Sequence, residues 1–237
     1  MKNLAFLVSV VFVLFSCNSG SKESSSGSDN SKETASTSSD LKAYDCLEKY
    51  VDDYSGLLTT EDMVSVYPFE VDEAKVKLRA GGFGHHKYSW PSDRPEIEYE
   101  ASGIEIALED MNMMGVSSLS FSRGKYGMKS IRSTFDMGYK KLSEAELKMI
   151  DDNLDKQNDD VKDTGKQMMK VREKRNWEFV EGIGNSAWYK WDEKWGGTLA
   201  VLAGRAKFDI ELKISDNPEE NRRVAEKLAK KVLDKCH

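Results

Sequence analysis

Apolar and polar positions alternate most regularly near the C-terminus. Phe208, Ile210, Leu212 and Ile214 are separated by Lys207, Asp209, Glu211 and Lys213, the period-two pattern of a strand with one buried and one wet face. Three strand-like runs precede it, at 177–181, 187–191 and 198–203, with Gly196-Gly197 and Gly204 as turn signals. The period then changes. Val224, Ala225, Leu228, Ala229, Val232 and Leu233 recur at helical spacing after an Asn217 cap, Pro218 in the first position and Glu220. Lys230, Lys231 and Lys235 fall at the carbonyl end, which the helix dipole favours. The pattern predicts a closing helix laid over an antiparallel meander.

The first half is less regular. Leu41, Tyr44, Leu47, Tyr50 and Val51 share a face if 41–54 is helical. A second helix is expected from Thr59 or Thr60, with Glu61 and Asp62 in its first turn, ending before Pro68. Residues 70–79 read as a third, ended by Gly81-Gly82. Strand-like pieces follow at 87–90, 97–99, 104–108 and 118–122. Ser143 and Glu146 then form a capping box that opens a long helix. Along it Leu147, Leu154, Val161 and Met168 repeat every seven residues, with Ile150, Gln157, Thr164 and Val171 three positions on. Gly165 is expected to bend or break it. The class is α+β: an antiparallel sheet meander with helices packed on one face, plus one long helix in the middle of the domain.

The chain has 237 residues and a formal charge of −6. That acidity argues against nucleic acid, whose phosphates need clustered Lys and Arg, and against docking on anionic headgroups. Length accommodates one folded domain.

The N-terminus adds a location. Lys2 precedes an apolar run from Leu4 to Phe15, shorter than the roughly 20 residues that span a bilayer. It ends in Leu14-Phe15-Ser16-Cys17, which resembles the lipobox of a bacterial lipoprotein signal peptide. The resemblance implies cleavage before Cys17 and acylation of that residue, with acyl chains holding the protein on a membrane. Asn18 in place of Asp favours the outer membrane, on its periplasmic or surface face, if the organism is Gram-negative. Residues 18–40 are almost entirely Ser, Gly, Thr, Asn and charged residues, too polar to fold alone. They read as a tether spanning about 25 Å on average. The organisation is therefore a signal peptide at 1–16, a lipidated Cys and tether at 17–40, and a single α+β domain at 41–237. In an exported protein Cys46 and Cys236 are a candidate disulfide; the alternative is two separate thiols. His237 adjoins Cys236 without a second ligand pair at zinc-like spacing, so no metal site is expected.

A second pattern joins Gly182-Ile183-Gly184-Asn185-Ser186-Ala187-Trp188, Leu199-Ala200-Val201 and Ala225-Glu226-Lys227-Leu228-Ala229 with Leu57-Leu58-Thr59-Thr60-Glu61-Asp62-Met63 and Tyr88-Ser89-Trp90. It resembles small bacterial lipoproteins and extracellular sensor domains of unknown ligand. The resemblance implies a fold and a location, not a reaction, and the charged helix after Ser143 departs from it.

Candidate chemistry is sparse. The loop from Arg79 to His86 holds three glycines and two histidines, but a strand follows where phosphate binding needs a helix, and adjacent histidines on a strand diverge. Asp151 to Asp159 lacks the Gly and Glu of a calcium loop, having Lys156 and Lys162 there. Trp188, Tyr189, Trp191 and Trp195 form an aromatic cluster suited to sugars or peptides. No hydrolase elbow, zincin, P-loop or dinucleotide motif occurs, and no cofactor is implied. The expected function is a membrane-anchored, envelope-exposed, non-enzymatic domain that binds a ligand, an envelope glycan or a protein partner. The alternatives are a structural or assembly lipoprotein acting through the 143–175 helix, and an unrecognised hydrolase.

Overall fold

The computed structural model describes residues 44–237, apart from 102, 103, 125, 157 and 158. The expected leader, Cys17 and the tether lie outside the described residues.

Among the described residues nine strands form: β1 (Lys75–Arg79), β2 (His85–Pro91), β3 (Ile97–Ala101), β4 (Ile104–Leu108), β5 (Met111–Phe121), β6 (Glu178–Phe179), β7 (Ser186–Asp192), β8 (Gly196–Ala203) and β9 (Ala206–Lys213). Seven make one sheet in the order β1-β2-β5-β9-β8-β7-β6, with every neighbouring pair antiparallel. Two meanders thus meet where β5 pairs β9. Strands β3 and β4 form a separate hairpin between β2 and β5. The α+β class follows directly from these elements.

Six α-helices among the described residues accompany the sheet: α1 (Tyr54–Leu57), α2 (Thr60–Val66), α3 (Met128–Tyr139), α4 (Glu144–Leu154), α5 (Asp159–Glu173) and α6 (Pro218–Leu233). The α6 stripe anticipated from its spacing is buried in full: Val224, Ala225, Leu228, Ala229, Val232 and Leu233 pack with Leu199, Val201, Phe208, Ile210 and Leu212. Asn217 caps it by accepting from the amides of Glu219 and Glu220. On the same face, Leu57, Leu58 and Met63 join the core. Cys46 and Cys236 are bridged, tying the start of the described chain to its last turn across 190 residues.

The opposite face is also covered. Met128, Ile131 and Phe135 of α3 pack on Ala200 and Leu202, the β8 residues that point away from α6. Helices therefore lie on both faces, because β8 is apolar on both. Helix α3 itself was not read from the sequence.

Three expected elements differ. Where one helix was expected over 41–54, the described part, from Tyr44 on, gives a 3-10 helix, Asp45–Tyr50, and then the single turn α1. Residues 70–79 are not a helix. A 3-10 turn, Val71–Glu73, leads into β1, whose strict Lys-Val-Lys-Leu-Arg alternation pairs with β2 and offers no helical stripe. The long helix is two. It ends at Leu154, and α5 folds back on α4, with Lys166 reaching Asp151 and Asp155 at 3.6 and 3.5 Å. Gly165 is not the break. It is the contact point, since a Cβ there would lie 2.3 Å from a Leu154 methyl.

Candidate interaction surface

The four aromatic residues singled out in the sequence do not converge. Tyr189 is buried under α6, where its hydroxyl donates to the Pro218 carbonyl at 3.2 Å. Trp191 is half-buried against the same core. Trp188 lies on the α3 side of the sheet, and its indole N–H donates to Asp136 Oδ1 at 2.9 Å. Trp195, in the turn from β7 to β8, is 56% exposed. Strand alternation keeps Tyr189 and Trp191 on one face and turns Trp188 to the other, and the turn carries Trp195 away from all three.

The two histidines also part. His86 is buried, its Nδ1 donating to the Leu58 carbonyl at 2.9 Å. His85 points to the other face, where burial and the Lys87 charge lower its pKa. Among the described residues, no three His, Cys, Asp or Glu side chains are grouped to hold a metal.

On that second face the middle of the sheet is polar. Glu211 of β9 accepts from Lys87 Nζ of β2 and from Ser117 Oγ of β5. Its neighbour Asp209 has one carboxylate oxygen buried without a hydrogen-bond partner. Burial pushes the Asp209 pKa up to about 6; the Lys207 charge opposes this and the Glu211 charge adds to it. Across from it, β5 slips register between Ser117 and Ser120, and Ser118 takes a φ of 62°, unlike any other described non-glycine residue. Such a bulge bends a strand and re-aims its side chains.

The sheet's outer edge is different in character. Strand β1 is terminal, and among the described residues it has no partner beyond β2. All five residues are exposed. Val76 and Leu78, opposite Tyr88 and His86, lie on the α6 side yet are 54% and 60% exposed. Lys75, Lys77 and Arg79 lie on the other side, where Lys77 faces Lys87. An exposed edge is a template for another strand, and its charges decide which strand can approach.

The β3–β4 hairpin is equally open. Its register sets Ile97 opposite Leu108 and Tyr99 opposite Ile106, while Glu98 and Glu100 fall on the reverse positions with Glu105. Ile104, Ile106 and Leu108 are all exposed. A two-stranded hairpin is marginal alone in water. This one is held at its base by Arg94, whose guanidinium donates to Asp110, the Asn112 side-chain oxygen and the Met111 carbonyl. Neither the edge nor the hairpin was singled out in the sequence. The signal was the alternation in 75–79, legible only once that segment is taken as a strand.

No family model, curated protein or solved structure matches the chain.

Proposed function

We propose that this chain is a lipid-anchored, envelope-exposed protein that binds a protein partner by strand addition, without catalysing a reaction. The anchor rests on the lipobox-like segment ending at Cys17 and on the polar tether after it. Among the described residues, no helix is long and apolar enough to cross a membrane. The observation that carries the binding reading is the β1 edge, unpaired beyond β2 among the described residues, with three cations on one side and two exposed aliphatic residues on the other. Main-chain groups supply affinity in such additions, and the alternating side chains supply selectivity. Here the selected partner is an extended segment alternating acidic and apolar residues. The aromatic cluster supports an exposed platform less well, because Tyr189 is core and Trp188 is engaged by Asp136.

A fluorescent peptide alternating Glu and Ile, titrated against the full chain in detergent, tests the binding. Binding that weakens about tenfold in Lys77→Glu and survives Trp195→Ala supports the edge. Equal loss in both, or no binding, removes it. Mass spectrometry of protein recovered from bacterial membranes tests the anchor: fatty acid on an N-terminal Cys17 is expected, and an intact leader contradicts it.

The helical hairpin of α4 and α5 offers a second reading. Met149, Met168 and Val171 are exposed on it, so an assembly role through 143–175 predicts that Met168→Glu with Val171→Glu releases a partner while Lys77→Glu does not.

A further inference from the structure

We infer that the strand received by β1 is β3 of a second copy of this chain, so that copies join head to tail. This rests on the edge-binding reading above and names its partner. Placed antiparallel, Lys75 to Arg79 meets Glu100 to Glu96 in one register that satisfies every position. Lys75 falls opposite Glu100, Lys77 opposite Glu98 and Arg79 opposite Glu96, while Val76 falls opposite Tyr99 and Leu78 opposite Ile97. Three opposite-charge pairs line one side of the new pairing, and apolar positions line the other.

Other occupants fit less well. Two copies of β1 pairing antiparallel about Lys77 would oppose Lys77 to itself and Lys75 to Arg79, which like-charge repulsion disfavours. A membrane surface carrying anionic headgroups would repel the hairpin, whose reverse positions are Glu98, Glu100 and Glu105. The chain's own β3 is kept from its own β1. The required register needs Ile97 beside Leu78, level with His86, whereas Pro91 lies five residues further along β2. That distance is about 17 Å, and the connecting segment is pinned at the Asp110 end by Arg94. Lys194 Nζ donates to the Glu98 carbonyl at 2.7 Å from an exposed position, a contact that an arriving strand displaces.

The interface is heterologous, because the donor and acceptor surfaces differ. It therefore propagates into a ring or an open array unless something terminates it. Confinement to a membrane by a lipid anchor raises the local concentration of both surfaces and favours pairing between weak sites.

Sedimentation velocity of the full chain in detergent, over a range of protein concentrations, reads the association. The wild type is expected to form concentration-dependent dimers and larger species. A variant carrying Lys75→Glu, Lys77→Glu and Arg79→Glu, and another carrying Glu96→Lys, Glu98→Lys and Glu100→Lys, should each weaken association by roughly a hundredfold. Circular dichroism checks that both fold. Mixing the two variants should restore association, because each then supplies the charge the other needs. A monomeric wild type, unchanged association in both variants, or no recovery on mixing overturns the inference. Monomers that sediment with lipid vesicles through the hairpin overturn it in favour of a membrane role. If the acidic peptide still binds β1 while the chain stays monomeric, edge binding stands and the second copy as its partner does not.

Discussion

Lys213 Nζ lies 2.9 Å from the Asp110 carboxylate, and both side chains are almost completely buried. This pair links the end of β9 to the start of β5. Arg94 Nε donates to Oδ2 of the same carboxylate at 2.8 Å, an oxygen that also accepts from Lys213, and Lys213 also donates to the Lys194 carbonyl at 2.9 Å. Asp110 thus sits between two cations at the base of the β3–β4 hairpin, and the exposed Asp216 carboxylate lies 3.5 Å from the same Arg94 Nε. Burial alone would raise the Asp110 pKa, but the hydrogen bonds and charges of Arg94 and Lys213 outweigh it and hold the pKa below its usual value.

Removing that carboxylate takes the buried acid from Lys213 and leaves Arg94 with the exposed Asp216. Asp110→Ala is expected to cost about 3–5 kcal/mol, measured by urea unfolding. The folded pKa of Asp110 is depressed, so its contribution is fully present above the unfolded value of 3.8 and is lost as pH falls through the folded one. The loss of stability below about pH 4 should therefore be shallower in Asp110→Asn than in the wild type. Identical acid limbs would show that this carboxylate does not carry the effect.

Asp209 has the opposite sign. Its pKa rises from 3.8 to about 6 on folding, so the folded state binds the extra proton between those values. Stability is then greatest near the lower end of that window and declines as pH rises through about 6, by about 3 kcal/mol in all. Asp209→Asn should raise the urea midpoint at pH 7 and flatten the curve between pH 4 and 6. A lower midpoint at pH 7 would mean that the charged form is favoured by neighbours such as Lys207.

The Cys46–Cys236 bridge closes a span of 190 residues. Chain-entropy models give such a link about 5 kcal/mol through the unfolded state. Replacing both cysteines by serine is expected to lower stability towards that figure, with little change in far-ultraviolet circular dichroism. Stability unaffected by the replacement would place the bridge outside the cooperative unit.

What could be read from the sequence tracks how each element is buried. The C-terminal meander and α6 carry clean periods, because each has one core face and one wet face; Phe208 and Leu228 are fully buried where alternation and helical spacing place them. Helix α3 escaped because its apolar positions, Met128, Ile131, Phe135 and Tyr139, lie in a segment with Gly127 and Gly138, which read as turn signals. The break between α4 and α5 escaped because each helix continues the other's heptad spacing, and only the fold shows Leu154 packed on Gly165. The β1 edge was masked by the helical reading of 70–79. Its complement in Glu96, Glu98 and Glu100 has no meaning until β1 and β3 are both strands.

Whether β1 receives a partner strand is decided by amide hydrogen exchange on the full chain with an excess of the Glu/Ile peptide. An edge strand without an outer partner should exchange fast when free. Exchange at Lys75–Arg79 is expected to slow on peptide addition. Unchanged exchange there, with protection appearing at Trp195 or along α4 and α5, would contradict it.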